Sequence, residues 1–285
     1  MSDVVMLPSW LEPDVSGLEY VFWDHGEPVP DCSRVTAFVP PYMPTSGDVA
    51  VAAQMPRLRV VQALMAGVDG MIAHLPGVEV RRAVGVHDTS TAELAVGLMI
   101  ASLRGIDVAA RDMTGGRWRH VRRPSLADSR VGIVGWGGVG QAIARRLEPF
   151  EVEVLGFSRS GRGCLPVAEF DVMLPTLDVV ALALPLTPEP FMNARRLAAM
   201  HDGALLVNVG RGALVDTQAL MQEAPRISAA LDVTDPEPLL PDHPLWQTPG
   251  VLITPHVGGD SEAFVPRARA MVHEFLLQLA AGALR

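Results

Sequence analysis

The sequence predicts an α/β protein of two lobes, one of them a doubly wound parallel sheet covered by helices. Three observations carry that expectation. The chain has 285 residues, 49% of them hydrophobic, enough for two cores of ordinary size. From Val131 onward, short apolar runs alternate with helix-like segments, the βαβ rhythm of a sheet buried on both faces. The first of those runs passes directly into Gly135-Trp136-Gly137-Gly138-Val139-Gly140, a G-x-G-x-x-G turn set between a strand and a helix.

In chain order, the first ninety or so residues read as strands at Val4–Leu7, Tyr20–Trp23, Val35–Val39, Arg59–Ala63 and Val78–Val84. Pro40, Pro41 and Pro44 interrupt them, and Ser46–Met55 reads as a short helix. A long helix is expected over Ser90–Met113, capped by Ser90 or Thr91, with Glu93 in its first turn where negative charge is favoured. The arginine-rich stretch Gly115–Arg130 reads as the loop joining the lobes. Strands follow at Val131–Val134, Val152–Phe157, Asp178–Leu184, Ala204–Val209, Ser228–Asp232 and Val251–Thr254. Helices are expected at Gln141–Leu147, Ala194–Met200 and Thr217–Glu223, and a last one at Ser261–Leu284 with Pro266 near its start. Within the glycine turn, Gly135 permits the tight bend, Gly137 lets backbone approach a pyrophosphate, and Gly140 lets helix pack on strand. The helix N-terminus then presents free N–H groups and its positive dipole end to the phosphates.

Composition excludes several chemistries. The chain contains no lysine; all 23 basic residues are arginine. Schiff-base catalysis and the Walker-type phosphate lysine are therefore absent, as is a Tyr-x-x-x-Lys pair. Only two cysteines occur, Cys32 and Cys164, outside any metal-ligand spacing. They read as thiols in a reducing, cytoplasmic setting, and the N-terminus shows no signal-like segment. No metal is expected. No apolar run reaches the roughly 18–20 residues of a membrane helix. A net charge of -9 offers nucleic acid no electrostatic footprint. The short basic patch Arg117–Arg123 reads as solvated surface.

Ligands of open parallel sheets bind beyond the carboxyl ends of the strands. The loops expected at that edge carry Arg211 between Gly210 and Gly212, Glu237 between Pro236 and Pro238, and His256 after Pro255. An arginine grips a carboxylate with two parallel hydrogen bonds and polarises a neighbouring carbonyl. A histidine moves a proton near neutral pH. A glutamate on its other ring nitrogen orients it and favours its protonated form. His87, ahead of the long helix, lies near the cleft in this scheme but carries no assigned role.

Several blocks occur in a single order. After the glycine turn come Leu184-Pro185-Leu186-Thr187-Pro188 and Asn208-Val209-Gly210-Arg211-Gly212. Leu231-Asp232-Val233 with Glu237-Pro238 follows, then Thr254-Pro255-His256-Val257-Gly258-Gly259. In these blocks, from about Val60 to Glu262, the chain resembles the D-isomer-specific 2-hydroxyacid dehydrogenase family. The resemblance implies two Rossmann-like lobes. One is a nucleotide-binding domain over 90–261 with a doubly wound parallel sheet. The other is a smaller flavodoxin-like substrate domain formed by 1–89 and 262–285. It implies Arg211 as binder of the substrate carboxylate and carbonyl, His256 as general acid/base and Glu237 as its partner. Gly138 and Val139 match residues whose backbone meets the pyrophosphate. Leu184, Pro185, Val209 and Gly210 match residues lining the cofactor cleft, where Arg211, His256 and Gly258 also stand. Asp232 matches a contact to the nicotinamide end. Ala66-Gly67-Val68-Asp69 matches a loop whose N–H groups meet the substrate carboxylate, with Met65 beside it. A homodimer is implied, with the helix Ser90–Met113 at its interface.

One departure bears on the cofactor. Sites for NAD(H) place an acid about twenty residues after the glycines, on the ribose 2′-OH. Here the segment reads Phe157-Ser158-Arg159-Ser160-Gly161-Arg162, with no acid. Ser158, Ser160 and Arg159, with Arg162, suit a 2′-phosphate, so NADP(H) is favoured and NAD(H) is the alternative. The expected reaction is hydride transfer between NAD(P)H and a small 2-oxo acid or 2-hydroxy acid, glyoxylate and hydroxypyruvate being first candidates. Glu237 stands where formate dehydrogenase relatives carry glutamine, and argues against that activity. Two alternatives remain: a dinucleotide-sensing binding protein of the corepressor type, and a phosphite dehydrogenase on the same scaffold.

Overall fold

Successive residues of a strand point to opposite faces, and here both faces of both sheets are apolar. The computed structural model describes residues 2–224 and 226–284, the side chain of Asp69 excepted. It separates into two units, one formed by the chain up to His87 together with the segment from Ser261, the other by Asp88–Asp260.

The first unit contains β1 (Val4–Leu7), β2 (Glu19–Phe22), β3 (Ala37–Phe38), α1 (Ser46–Ala50), β4 (Val60–Gln62), α2 (Asp69–His74) and β5 (Glu79–Arg81). The strands are all parallel in the order β2-β1-β3-β4-β5, a flavodoxin-like order. Val5 and Leu7 face one core, Val4 and Met6 the other.

The second unit opens with α3 (Asp88–Arg104) and α4 (Ile106–Thr114). There follow β6 (Arg130–Val134), α5 (Gly138–Leu147), β7 (Glu153–Ser158), β8 (Leu165–Pro166), α6 (Phe170–Met173), β9 (Val179–Leu182) and α7 (Ala194–Ala199). Then come β10 (Leu205–Asn208), α8 (Thr217–Glu223), β11 (Ser228–Leu231) and β12 (Val251–Ile253). The chain ends on α9 (Phe264–Ala280), whose Ala268, Val272, Phe275, Leu276 and Leu279 close one core of the first unit. The seven strands of the second unit are parallel, in the order β12-β11-β10-β9-β6-β7-β8. Val179 and Ala181 of β9 meet α3 and α5, whereas Val180 and Leu182 meet α6, α7 and α8. This is the expected doubly wound sheet. Its strand order reverses at β6 and β9, and ligands bind at such a point. The glycine turn leaves β6 there.

Several boundaries differ from those the sequence suggests. The helix expected over Ser90–Met113 starts at Asp88 and is broken at Gly105. Gly105 has a φ of 62°, and a Cβ there would lie 2.9 Å from the Arg123 guanidinium, so glycine ends one helix and begins the next. Neither Ser90 nor Thr91 is the cap, and Glu93 lies beyond the first turn, where Asp88 supplies the acid instead. Ser46–Met55 is α1 followed by a 3₁₀ turn at Val51–Gln54. Strand Val35–Val39 reduces to two laddered residues, and Val78–Val84 to three. The edge strand β8 and the one-turn α6 carry no periodic signal.

Gly140 shows why the turn after β6 tolerates no side chain. A Cβ there would lie 1.9 Å from the Gly135 carbonyl oxygen, which is backbone and cannot swing aside. Gly140→Ala should destabilise by on the order of 1–3 kcal/mol. For a unit of this size that lowers the melting temperature by about 2–12 °C in calorimetry. An unchanged melting temperature would contradict this packing.

Candidate active site

Because the seven strands are parallel, β6, β7, β9, β10, β11 and β12 all deliver their following loops to one edge. Gly135 turns the chain out of β6 with a φ of 103°, and α5 starts at Gly138 with Gly137 at its N-cap. Apart from its chain neighbours, nothing stands within 4 Å of a Cβ built at Gly137, so the backbone there is open to close approach. Val139 is half-buried in the same turn. At the end of β7, the Ser158 hydroxyl accepts from the Gly161 N–H at 3.1 Å and from the Cys164 thiol at 3.2 Å. Ser160 lies 3.3 Å from it and accepts from the Arg162 N–H at 3.4 Å. The two hydroxyls thus shape the loop, and Arg159 and Arg162 extend from it exposed. Neither guanidinium meets a carboxylate among the described residues, and the loop itself contains none. An unpartnered cationic pair, an open glycine turn and a helix N-terminus fit a dinucleotide that carries an additional phosphate.

Leu184 and Pro185 follow β9, half-buried and exposed respectively. Val209, Gly210 and Arg211 follow β10. Asn208, fully buried at the end of that strand, holds this loop from both sides. Its Oδ1 accepts from the Gly210 N–H at 3.1 Å, and its Nδ2 donates to the Arg211 carbonyl at 2.8 Å. The Arg211 guanidinium donates through Nη1 to the Gly210 carbonyl at 2.6 Å. A Cβ on Gly212 would lie 1.8 Å from the Thr234 carbonyl oxygen, so the loops after β10 and β11 abut backbone to backbone.

Asp232, the first residue after β11, is 2% exposed and gathers the loop after β12. Its Oδ1 accepts from Thr254 Oγ1 at 2.6 Å and Val257 N–H at 3.0 Å, and its Oδ2 from Gly258 N–H at 2.8 Å. Its carbonyl accepts from the His256 N–H at 2.8 Å. Held in this way, His256 adopts a φ of 53°, and its Nδ1–H donates to Glu237 Oε1. Nδ1 therefore carries a proton, and Nε2 has no hydrogen-bond partner among the described residues. The hydrogen bond to Glu237 raises the His256 pKa above the usual imidazole value. Partial burial opposes this, the charges of Glu237 and Asp232 reinforce it, and the Arg211 guanidinium pulls it down.

Arg211, Glu237 and His256 thus share one edge, and each influences the imidazole or its loop. Asn208 and Thr254 were not singled out by sequence reasoning, because a buried side-chain clamp leaves no periodic trace. In the first unit, Ala66 and Gly67 lie in the loop from β4 to α2, and Val68 caps α2; the side chain of Asp69 is outside the described residues. His87 is stacked with Tyr42 and Phe264, and its Nε2–H donates to the Leu64 carbonyl at 2.7 Å. Among the described residues no cluster of three His, Cys, Asp or Glu could hold a metal ion, and no helix is long and apolar enough to cross a membrane.

The chain is similar to several known proteins. Residues 96–258 match the family described as D-isomer specific 2-hydroxyacid dehydrogenase, NAD binding domain. A glyoxylate reductase of Thermofilum pendens is 34% identical over 231 residues, 74% of this chain and 68% of the relative. A human glyoxylate reductase/hydroxypyruvate reductase is 35% identical over 223 residues, 70% of this chain and 67% of the relative. The crystal structure of a D-isomer specific 2-hydroxyacid dehydrogenase from Xanthobacter autotrophicus Py2, in complex with NADPH and MES, superposes with a TM-score of 0.82 at 30% identity. That superposition covers 99% of this chain and 96% of the other. An NADPH-dependent glyoxylate/hydroxypyruvate reductase from Sinorhizobium meliloti, in complex with NADP and malonate, gives 0.79 at 28% identity, covering 98% and 93%.

Proposed function

This chain belongs to the D-isomer-specific 2-hydroxyacid dehydrogenase family, and from that premise we propose that it reduces a small 2-oxo acid to the 2-hydroxy acid with NADPH. The observation that carries the proposal is the Glu237–His256 pair beside Arg211, on three loops at the sheet edge where the glycine turn opens. Gly135, Gly137, Gly138, Val139 and Gly140 would hold the diphosphate. Ser158, Arg159 and Ser160 would hold the 2′-phosphate. Leu184, Pro185, Val209, Gly210, Asp232 and Gly258 would line the remainder. When bound, the dihydronicotinamide supplies the hydride that reduces the ketone carbon.

The chain's own residues supply the rest. Arg211 grips the carboxylate and draws electron density from the neighbouring carbonyl. His256, protonated, gives its Nε2 proton to the oxygen on which negative charge develops, and Glu237 keeps the imidazolium aligned throughout. Residues 1–89 with 262–285 would then form the substrate domain and 90–261 the dinucleotide domain. The decisive assay is NADPH oxidation with a panel of 2-oxo acids led by glyoxylate and hydroxypyruvate. Tight NADPH binding without turnover across the panel would favour a dinucleotide-sensing binding protein instead.

The unpartnered Arg159 supports preference for NADPH. Arg159→Ala should reduce kcat/KM for NADPH by roughly ten- to hundredfold, the worth of a charge-assisted hydrogen bond, and leave NADH nearly unaffected. Equal losses with both cofactors would remove Arg159 from the 2′-phosphate. A homodimer is supported by exposed apolar residues on α4 and the loop after it, namely Ile106, Met113, Val121 and Trp118, the last 98% exposed. Light scattering would measure its mass. The free cysteines Cys32 and Cys164 are in keeping with a cytoplasmic location, and the net charge of -9 with the absence of nucleic-acid partners.

A further inference from the structure

The carboxylate of Asp88 lies directly against the N-terminal turn of α5. A Cβ placed on Gly138 would stand 1.9 Å from Oδ2, 2.6 Å from Cγ and 3.1 Å from Oδ1. Only a hydrogen fits between them, so Gly138 is glycine as much for Asp88 as for any phosphate. Asp88 belongs to the first turn of α3, and α3 and α5 share one hydrophobic core, so helix packing sets this approach.

Asp88 is half-buried, yet its carboxylate accepts no hydrogen bond and joins no ion pair among the described residues. The unit's other enclosed acids behave differently. Asp232 accepts three hydrogen bonds, Asp112 meets Arg117 and Arg119, and Asp171 meets Arg195 and Arg196. Without a cation, Asp88 is favoured by two positive helix ends, that of α3 and that of α5. The second is also where the proposed diphosphate would be received.

We propose that Asp88 is an affinity-lowering residue of the cofactor seat: its fixed negative charge occupies the field of the α5 N-terminus and opposes the incoming diphosphate, which keeps dinucleotide binding weak and exchange fast. The inference rests on the reading of the glycine turn as a dinucleotide site. It accounts for an unpaired carboxylate beside a glycine turn otherwise open to an anion. It also predicts an effect common to both cofactors, since NADH and NADPH share the diphosphate and differ only in the 2′-phosphate.

Titration of the full-length protein with NADPH and with NADH, followed by reduced-nicotinamide fluorescence, tests it. Asp88→Asn keeps the shape and removes the charge, and Asp88→Ala removes both. Each should lower Kd for NADPH and NADH by the same factor, about three- to tenfold for a screened like-charge contact, and slow dissociation in stopped flow accordingly. The apo melting temperature should fall slightly, because two helix ends lose a favourable charge, while the increment on adding NADPH should grow. Weaker or unchanged binding of both cofactors in both variants would overturn the proposal. It would indicate instead that the carboxylate accepts from a ribose hydroxyl or serves packing alone. Tightening of NADPH only would also overturn it, placing Asp88 near the 2′-phosphate. Failure of the wild type to bind either nucleotide would sink the dinucleotide reading itself, and this inference with it.

Discussion

His256→Asn is expected to lower kcat for 2-oxo-acid reduction by about 10²–10⁴-fold, while Kd for NADPH changes by less than about threefold. The expectation follows from what the ring does. Nδ1–H is committed to Glu237, so only Nε2 can serve a substrate. Reduction consumes a proton, and the form that gives one is the imidazolium. The Glu237 hydrogen bond, aided by the charges of Glu237 and Asp232, raises the imidazole pKa and keeps that form populated at higher pH. kcat/KM for reduction should therefore hold at low pH and decline as pH rises through the raised value, with the oxidative direction showing the opposite limb. Glu237→Gln removes the largest cause of the shift, so the reductive limb should move to lower pH. The same pair links to stability. A pKa raised in the folded state contributes stability that is fully present below the unfolded value, near 6.5, and is lost as pH rises through the folded value. That part of the pH dependence of the melting temperature should vanish in His256→Asn. Near-normal turnover in His256→Asn would remove His256 from the chemistry.

Most of the second unit was legible because its strands are buried on both faces. Val131–Val134, Val179–Leu182 and Leu205–Val207 read as continuous apolar runs, and the glycine turn marks where the first of them ends. The strand-end rule then brought Arg211, Glu237 and His256 to one edge without any coordinates. What stayed illegible was set across space rather than along the chain. Gly105 breaks the expected helix through its left-handed backbone, with a φ of 62°, which a single glycine inside an apolar pattern does not announce. β8 is two residues ending in proline on a sheet edge, too short for any period to register. The three hydrogen bonds that the Asp232 carboxylate accepts from the loop carrying His256 join residues more than twenty positions apart. Asn208 reads as one more polar residue of a loop motif, whereas its side chain clamps the Gly210 N–H and the Arg211 carbonyl. Asp88 reads from the sequence only as a helix-start acid. Its approach to Gly138 exists because α3 packs on α5.

Arg211 carries the second large effect. Its loop is fixed by Asn208 and wedged at Gly212 against Thr234, so the guanidinium starts from a rigid base. It now donates to the Gly210 carbonyl, a bond that a carboxylate ligand can replace with two charge-assisted ones. Arg211→Ala should lower kcat/KM for the 2-oxo acid by on the order of 10³-fold, since both an anchor and a polarising donor are lost. Arg211→Lys should recover only part of this. A single ammonium keeps the charge but cannot make the two parallel bonds that orient a planar carboxylate. The electrostatics give a signature of opposite sign to that of Glu237. The Arg211 guanidinium depresses the His256 pKa, so Arg211→Ala should displace the reductive pH limb upward, where Glu237→Gln displaces it downward. Arg211→Lys, retaining a positive charge on the same backbone, should leave the limb near its wild-type position despite its lower rate. If Arg211→Ala lost activity with no upward displacement, the guanidinium would act on the substrate alone and not on the charge of the imidazole.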